Sequence, residues 1–547
     1  MTASEPPRPD ADPPLPNDPH PEDLLPEDLP AAERVLMLAF DERRRAHLPD
    51  KLIEHRRGVR RMRDLAFAND LAPASTFAVL DGTGPDPDLP DEPIGRGVGH
   101  GRAPIRPEQA AHATITEIGA ALRSGAFTAR ELTEAYLARI ERFDGQLHAV
   151  VSVTRERALR EADRADRELA DGRDRGPLHG MPWLAKDLLA TPDAPTSWGA
   201  TPYRDQRFAS DATVVRRLTE AGAVLLGKAS LGALAMGDVW FGATTRNPWD
   251  PDEGSSGSSA GSAAGVAAGL CAFAIGSETM GSILSPSHRC GVTGLRPTFG
   301  RVPRTGAMAL SWSLDKLGPI VRAPEDAALV LDALRGRDPA DPTSRDASFP
   351  WRPEPQVEGL KVGVPRDVDL DAEPATAACL DHLRALGAEV REIDLPDLPT
   401  EPIVTLLMVE ASAAFDRLIR GPDADALVRQ DADAWPTLLR AARFVSGADY
   451  VQAQRLQRAM RDAVRSLLHH EVAAIVSLAL HGPAMRLGNA AGLPAATVGV
   501  GHGEQGRPLG NVAVLADAFC EHRALAVADA AFRRDRPSGP SVPPAFA

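Results

Sequence analysis

Lysine is nearly missing from this chain. Of 61 basic residues only five are lysines, at 51, 186, 228, 316 and 361. Arginine does not deprotonate in proteins, so any step that needs a neutral amine must draw on those five. Cysteine is as scarce, at 271, 290, 379 and 520, with no CxxC pair and no His/Cys cluster. A disulfide framework is excluded, and no zinc-site spacing is present. No apolar run reaches the ~20 residues of a membrane span. The first residues, MTASEPPRPD, are acidic and proline-rich, unlike a signal or transit peptide. Positive charge is in deficit, with a net charge of -15, which argues against a nucleic-acid or anionic-membrane partner. The arginine cluster from Arg43 to Arg63 is the local exception and reads as a solvated helical face. These absences point to a soluble, cytoplasmic protein that binds neither nucleic acid nor membrane.

What is present is organised in blocks. Residues 1–30 hold ten prolines among many acids and read as a disordered tail. Residues 31–72 show helical spacing on both sides of Pro49 and read as a helical hairpin. Residues 73–110 are rich in Pro, Gly and Asp and read as an extended linker. From 111 to 535 the pattern is dense α/β. Thr128 is placed to cap a helix, and "DATVVRRLTEAGAVLLGK" reads as a helix, a glycine stop and a buried strand. "GLKVGVP", "PATAACLDHLRALGAEV" and "REIDLP" repeat strand, helix, strand. This alternation predicts a large mixed, mainly parallel sheet covered by helices on both faces. Residues 536–547 read as a second disordered tail.

Two Gly/Ser-rich stretches sit inside the apolar block: "GSSGSSAGSAAGVAAG" from Gly254, and "AFAIGSETMGSILSPS" from Ala272. Each joins a polar turn to an apolar element, which holds the turns on a rigid frame. A serine hydroxyl becomes a nucleophile only when a base takes its proton. The only nearby histidine is His288. Lys186, behind the apolar run of "GPLHGMPWLAKDLLA", is the alternative. Burial disfavours the charged amine and pulls its pKa down from about 10.4.

On these residues the chain resembles the amidase signature family of serine hydrolases, over roughly residues 112–530. The likeness is densest from Gly176 to Lys186 and from Asn247 to Gly300. The resemblance implies a Lys–Ser–Ser triad. Lys186 stands in the family's "VKD" motif, here "AKD". Ser258, in "SGSSAG", takes the place of the bridging serine, which follows a cis peptide. Ser282, in "MGSI", takes the place of the nucleophile. Ser258 and Ser282 keep the family's usual spacing of 24, which sets the register against Ser255 and Ser256. The backbone N–H groups of Thr279, Met280, Gly281 and Ser282 would form the oxyanion hole. The fold implied is the amidase signature fold, here with an N-terminal helical extension. The activity implied is hydrolysis of a carboxamide or N-acyl bond through an acyl-enzyme, on a small-molecule amide and without metal or organic cofactor.

Three positions depart from the family pattern "GSDTGGSIRxP": Glu278 replaces Asp, Met280 replaces Gly and Leu284 replaces Arg. The acid normally pairs with that arginine, so Glu278 needs another partner. The abrupt "VSLALHGPAMRLGNAAGLPA" implies a more open or differently lidded site. Lys228 and Lys316 are expected to be structural. The N-terminal hairpin faintly resembles the small C subunit of tRNA-dependent amidotransferases, as a built-in clamp. Two alternatives therefore stand beside the stand-alone amidase: the glutaminase (A) subunit of such an amidotransferase, and a catalytically degenerate binding protein on the same fold. Substrate and oligomeric state, a homo-oligomer included, stay open.

Overall fold

The computed structural model describes residues 27–35 and 103–547, apart from 354–355, 401, 432, 444, 478–481, 504–505 and 536–541. Of the N-terminal extension it describes one helix, Asp28–Val35. The rest of the expected hairpin, the linker up to residue 102 and the tail up to residue 26 lie outside the described residues.

Thirteen strands are found among the described residues: β1 (Val150–Val153), β2 (Pro182–Lys186), β3 (Val224–Ala229), β4 (Arg246–Asn247), β5 (Asp250–Gly254), β6 (Phe273–Glu278), β7 (Thr293–Arg296), β8 (Lys316–Val321), β9 (Lys361–Pro365), β10 (Glu389–Ile393), β11 (Ala474–Ser477), β12 (Ala495–His502) and β13 (Pro508–Ala516). β4 and β5 form a small ribbon of their own. The other eleven build one sheet in the order β1-β3-β2-β6-β8-β7-β12-β13-β11-β9-β10. The sheet is mixed. Parallel pairing joins β2 to β3 and β6, and β9 to β10 and β11. Antiparallel pairs link these two groups through β8, β7, β12 and β13.

Strands β2, β3 and β6 are buried along their whole length, as strands covered on both faces are. Trp183 stacks on Phe273 across the β2–β6 pair, centroids 5.9 Å apart and planes within 5°. A pair of this kind adds about 0.5–1.5 kcal/mol beyond its burial, and it supports the register that carries Lys186 and Ser277 to the same end of the strands. Thr128 caps the helix Ala129–Leu147 as expected: its hydroxyl accepts from Glu131 N at 3.0 Å, and Glu131 Oε2 accepts from Thr128 N at 2.8 Å.

The helix Ala260–Ala267 is made of small residues and is buried throughout. Its seat explains the composition. A Cβ on Gly261 would lie 2.1 Å from the carbonyl oxygen of Ala149, so only glycine lets the helix sit this close to the strand layer. The C-terminus departs from the expected loose tail. Phe546 is fully buried, and its carbonyl accepts from Arg139 Nη2 at 2.6 Å. An aromatic residue near the chain end, in reach of an apolar seat beside Phe143, packs there because the burial outweighs the ordering of a few residues.

Candidate active site

Lys186 ends β2, Ser258 follows the turn after β5, and Ser277 and Glu278 end β6. The parallel register pairs Ala185 with Ile275, which brings the ends of β2 and β6 together. Lys186 is fully buried. Its Nζ lies 2.8 Å from Ser258 Oγ, 2.9 Å from Ser259 Oγ and 2.8 Å from Ser277 Oγ. No carboxylate forms an ion pair with it among the described residues. Burial holds its pKa well below the ordinary lysine value, and the more distant Asp315 and Glu278 oppose that only in part.

The Gly257–Ser258 peptide is cis. Gly257 lies so close to the neighbouring loop that a Cβ would come 1.9 Å from Gly237 O. Ser282 stands beside the serine pair: its carbonyl accepts from Ser259 N at 3.1 Å. The Ser282 hydroxyl makes no hydrogen bond among the described residues, and the residue is partly exposed. The structure thus brings Lys186 and Ser258 into contact, and Ser282 meets the neighbouring Ser259 through its backbone carbonyl.

The loop from Thr279 to Ser282 turns between β6 and the helix Leu284–Cys290. Gly281 has φ +93°, a backbone conformation that favours glycine. None of the four N–H groups from Thr279 to Ser282 donates to an acceptor among the described residues. Thr279 is clamped from two sides. Its hydroxyl donates to Asp315 Oδ1 at 2.6 Å, and Lys316 Nζ lies 3.5 Å from its carbonyl oxygen.

Glu278 does have a partner. Its Oε1 accepts from Arg296 Nη1 at 2.9 Å, and its Oε2 accepts from Ile283 N at 2.8 Å and Leu284 N at 3.0 Å. Burial alone would raise its pKa, but Arg296, Lys316 and these hydrogen bonds outweigh it and hold the carboxyl at about 2. The charge missing at Leu284 is thus supplied from β7. Lys228 is ion-paired to Asp187 at 3.0 Å and donates to Thr196 Oγ1 at 2.7 Å. Lys316 Nζ donates to Asn489 Oδ1 at 3.0 Å.

Residues 131–491 match the family described as Amidase. The chain belongs to that family. It is 37% identical over 466 residues to the A subunit of the glutamyl-tRNA(Gln) amidotransferase of Halorhodospira halophila, covering 76% of this chain and 95% of the relative. Among solved structures it is similar to the native peptide amidase of Stenotrophomonas maltophilia, with TM-score 0.71 and 32% identity over 79% of this chain and 99% of the other. It is also similar to a bacterial aryl acylamidase of the amidase signature family, with TM-score 0.69 and 25% identity over 78% and 96%. Among the described residues no helix of this amidase-family chain is long and apolar enough to cross a membrane. No group of three or more His, Cys, Asp or Glu able to hold a metal is found among them either. The segment expected to leave the site more open passes through residues 478–481, outside the described residues.

Ser259 and Ser277 are absent from the site residues that the sequence motifs single out. Both lie within the two Gly/Ser stretches, next to or five positions before a serine that the motifs do single out. The β2–β6 register, which brings the end of β6 beside Lys186, would have pointed to Ser277.

A cavity of about 180 Å³ abuts this amidase site through Ser277 and Thr279. Its wall is mainly apolar, with Leu188, Met308, Leu310, Trp312 and Leu317, together with Arg304, Asp315 and Asp341.

Proposed function

We propose that this chain hydrolyses a carboxamide C–N bond through an acyl-enzyme on Ser282, with Lys186 as base and Ser258 as relay. The observation that carries the reading is the hydrogen-bond account at Lys186. A neutral amine has two N–H donors and one lone pair. Ser259 donates its only hydroxyl proton to the Ser277 carbonyl at 3.1 Å, so toward Lys186 it accepts. One of the remaining two hydroxyls then donates into the lone pair. Ser258 is the one next in the chain to Ser259, whose N–H donates to the Ser282 carbonyl at 3.1 Å.

In this mechanism Lys186 Nζ takes the Ser258 proton as Ser258 Oγ takes that of Ser282, and Ser282 Oγ bonds to the amide carbon. The carbonyl oxygen becomes an oxyanion facing the N–H groups of residues 279–282. One such donor contributes about 3–4 kcal/mol. Ser258 returns a proton to the leaving nitrogen, the C–N bond breaks, and water clears the ester by the reverse relay. Met280 keeps its N–H in this loop, so its side chain narrows the site without removing a donor.

A second reading, an ammonia-supplying component of an amidotransferase, is favoured by the likeness to the Halorhodospira halophila protein over nearly that protein's whole length. Ammonia release from glutamine that requires an added partner would select it. The test of the shared chemistry is covalent labelling by a fluorophosphonate. Labelling of the wild type, lost in Ser282→Ala, is expected; equal labelling of both places the nucleophile elsewhere and overturns the proposal, and no labelling of either leaves the reading of a degenerate binding protein.

A further inference from the structure

We infer that the cavity beside Ser277 and Thr279 receives an uncharged, apolar substituent on the acyl side of the substrate, and that this excludes a zwitterionic amide such as glutamine. The inference rests on the acyl-enzyme reading above.

The charged groups in the cavity wall are already spent. Asp315 accepts from Thr279 Oγ1 through one oxygen and from Leu310 N and Ser311 N, at 2.8 and 2.9 Å, through the other. Arg304 donates to the carbonyls of Trp312 and Asp315 at 2.9 and 3.3 Å and to Thr343 Oγ1 at 3.1 Å, and it covers the Phe299 ring at 4.7 Å. Asp341 accepts from Arg304 N at 2.8 Å and from Thr343 N at 3.0 Å. An ammonium or carboxylate entering this space would lose part of its water and meet carboxylates and a guanidinium whose hydrogen-bonding atoms are already engaged. One unused polar atom on the wall, Trp312 Nε1, is neutral and has no hydrogen-bond partner among the described residues.

Size and position complete the case. An apolar cavity of about 150 Å³ holds benzene, so about 180 Å³ takes a phenyl or branched alkyl group. The leaving nitrogen must face Ser258, which returns its proton. The cavity meets the site at Ser277 and Thr279 instead, on the oxyanion-loop side. What lies in it is therefore the group attached to the carbonyl carbon.

The full chain is first labelled with a fluorophosphonate and then assayed for ammonia release from acetamide, isovaleramide, phenylacetamide and L-glutamine. The expected order of kcat/KM places phenylacetamide and isovaleramide at least tenfold above acetamide, and glutamine at the bottom. Ala307→Leu, which extends a side chain into the cavity, should lower the phenylacetamide-to-acetamide ratio at least tenfold. Met308→Ala should raise it. A labelled enzyme that prefers glutamine or acetamide overturns the inference, as does a ratio unmoved by both variants. No labelling at Ser282 would instead overturn the acyl-enzyme reading itself.

Discussion

Lys186 and Lys228 sit on adjacent strands, each fully buried, yet their surroundings are opposite. Lys228, paired in register with Ala185, meets a carboxylate, Asp187, at 3.0 Å. Lys186 meets only hydroxyls and one carbonyl. Burial lowers the pKa of both. At Lys228 an opposing charge compensates, and the amine serves as one half of a structural ion pair. At Lys186 nothing anionic among the described residues touches Nζ, and the neutral form is favoured. Burial alone therefore does not make a base; burial without a counter-ion does.

The sharpest way to break this comparison is to remove each amine in turn. Lys186→Met should lower kcat/KM by about 10³-fold or more, the upper part of the range for a general base. Its stability should fall less than that of Lys228→Met, because hydrogen bonds to hydroxyls but no ion pair are lost. Lys228→Met should do the reverse. It leaves Asp187 buried without its partner and should cost about 3–5 kcal/mol in chemical denaturation, with activity per folded molecule retained. Lys228→Met combined with Asp187→Asn should recover part of that loss. If Lys228→Met abolished turnover in fully folded protein, the division between base and structural pair would be wrong.

The sequence carried the candidates far because the site's chemistry is written in short, local motifs. Lys186, Ser258 and Ser282 could each be named from a few flanking residues and a spacing of 24. The members that escaped depend on strand register. Arg296 reaches Glu278 because β6 and β7 both pair with β8, and nothing local to "TGLRPT" announces it. Ser277 reaches Lys186 through the β2–β6 pairing. The overall sheet was legible from alternating elements. Its central antiparallel strands were not, since short buried strands look alike in either direction.

A third buried amine extends the comparison. Among the described residues Lys316 has neither an ion pair nor a ring of hydroxyls, and burial together with Arg296 lowers its pKa to about 7, against Glu278 and Asp315. In the unfolded chain it keeps its proton up to about 10.5, so from pH 7 upward the unfolded state binds more protons and stability rises. The rise from this group should reach at most about 1.4 kcal/mol per pH unit. Denaturant midpoints of the wild type and Lys316→Met, compared between pH 7 and 8.5, isolate it. The buried cysteines and tyrosines, whose pKa values are raised, act only above their ordinary values. A wild type no steeper than Lys316→Met would show that this amine stays charged.

The smallest effect decides the most about Lys186. Ser258 and Ser277 both stand 2.8 Å from its Nζ, and distance alone cannot say which donates into the lone pair. If Ser258 does, Ser277 merely accepts an N–H, and Ser277→Ala removes one neutral hydrogen bond. That is worth about 1 kcal/mol, so kcat/KM should fall about fivefold, while Ser258→Ala falls by orders of magnitude. Ser277→Ala should also let the amine lose its orientation, which would move the acid limb of the pH–rate profile before it moves the plateau. Equal and severe losses in the two variants would mean that both hydroxyls share the proton, and the single-relay scheme would have to be replaced by a branched one.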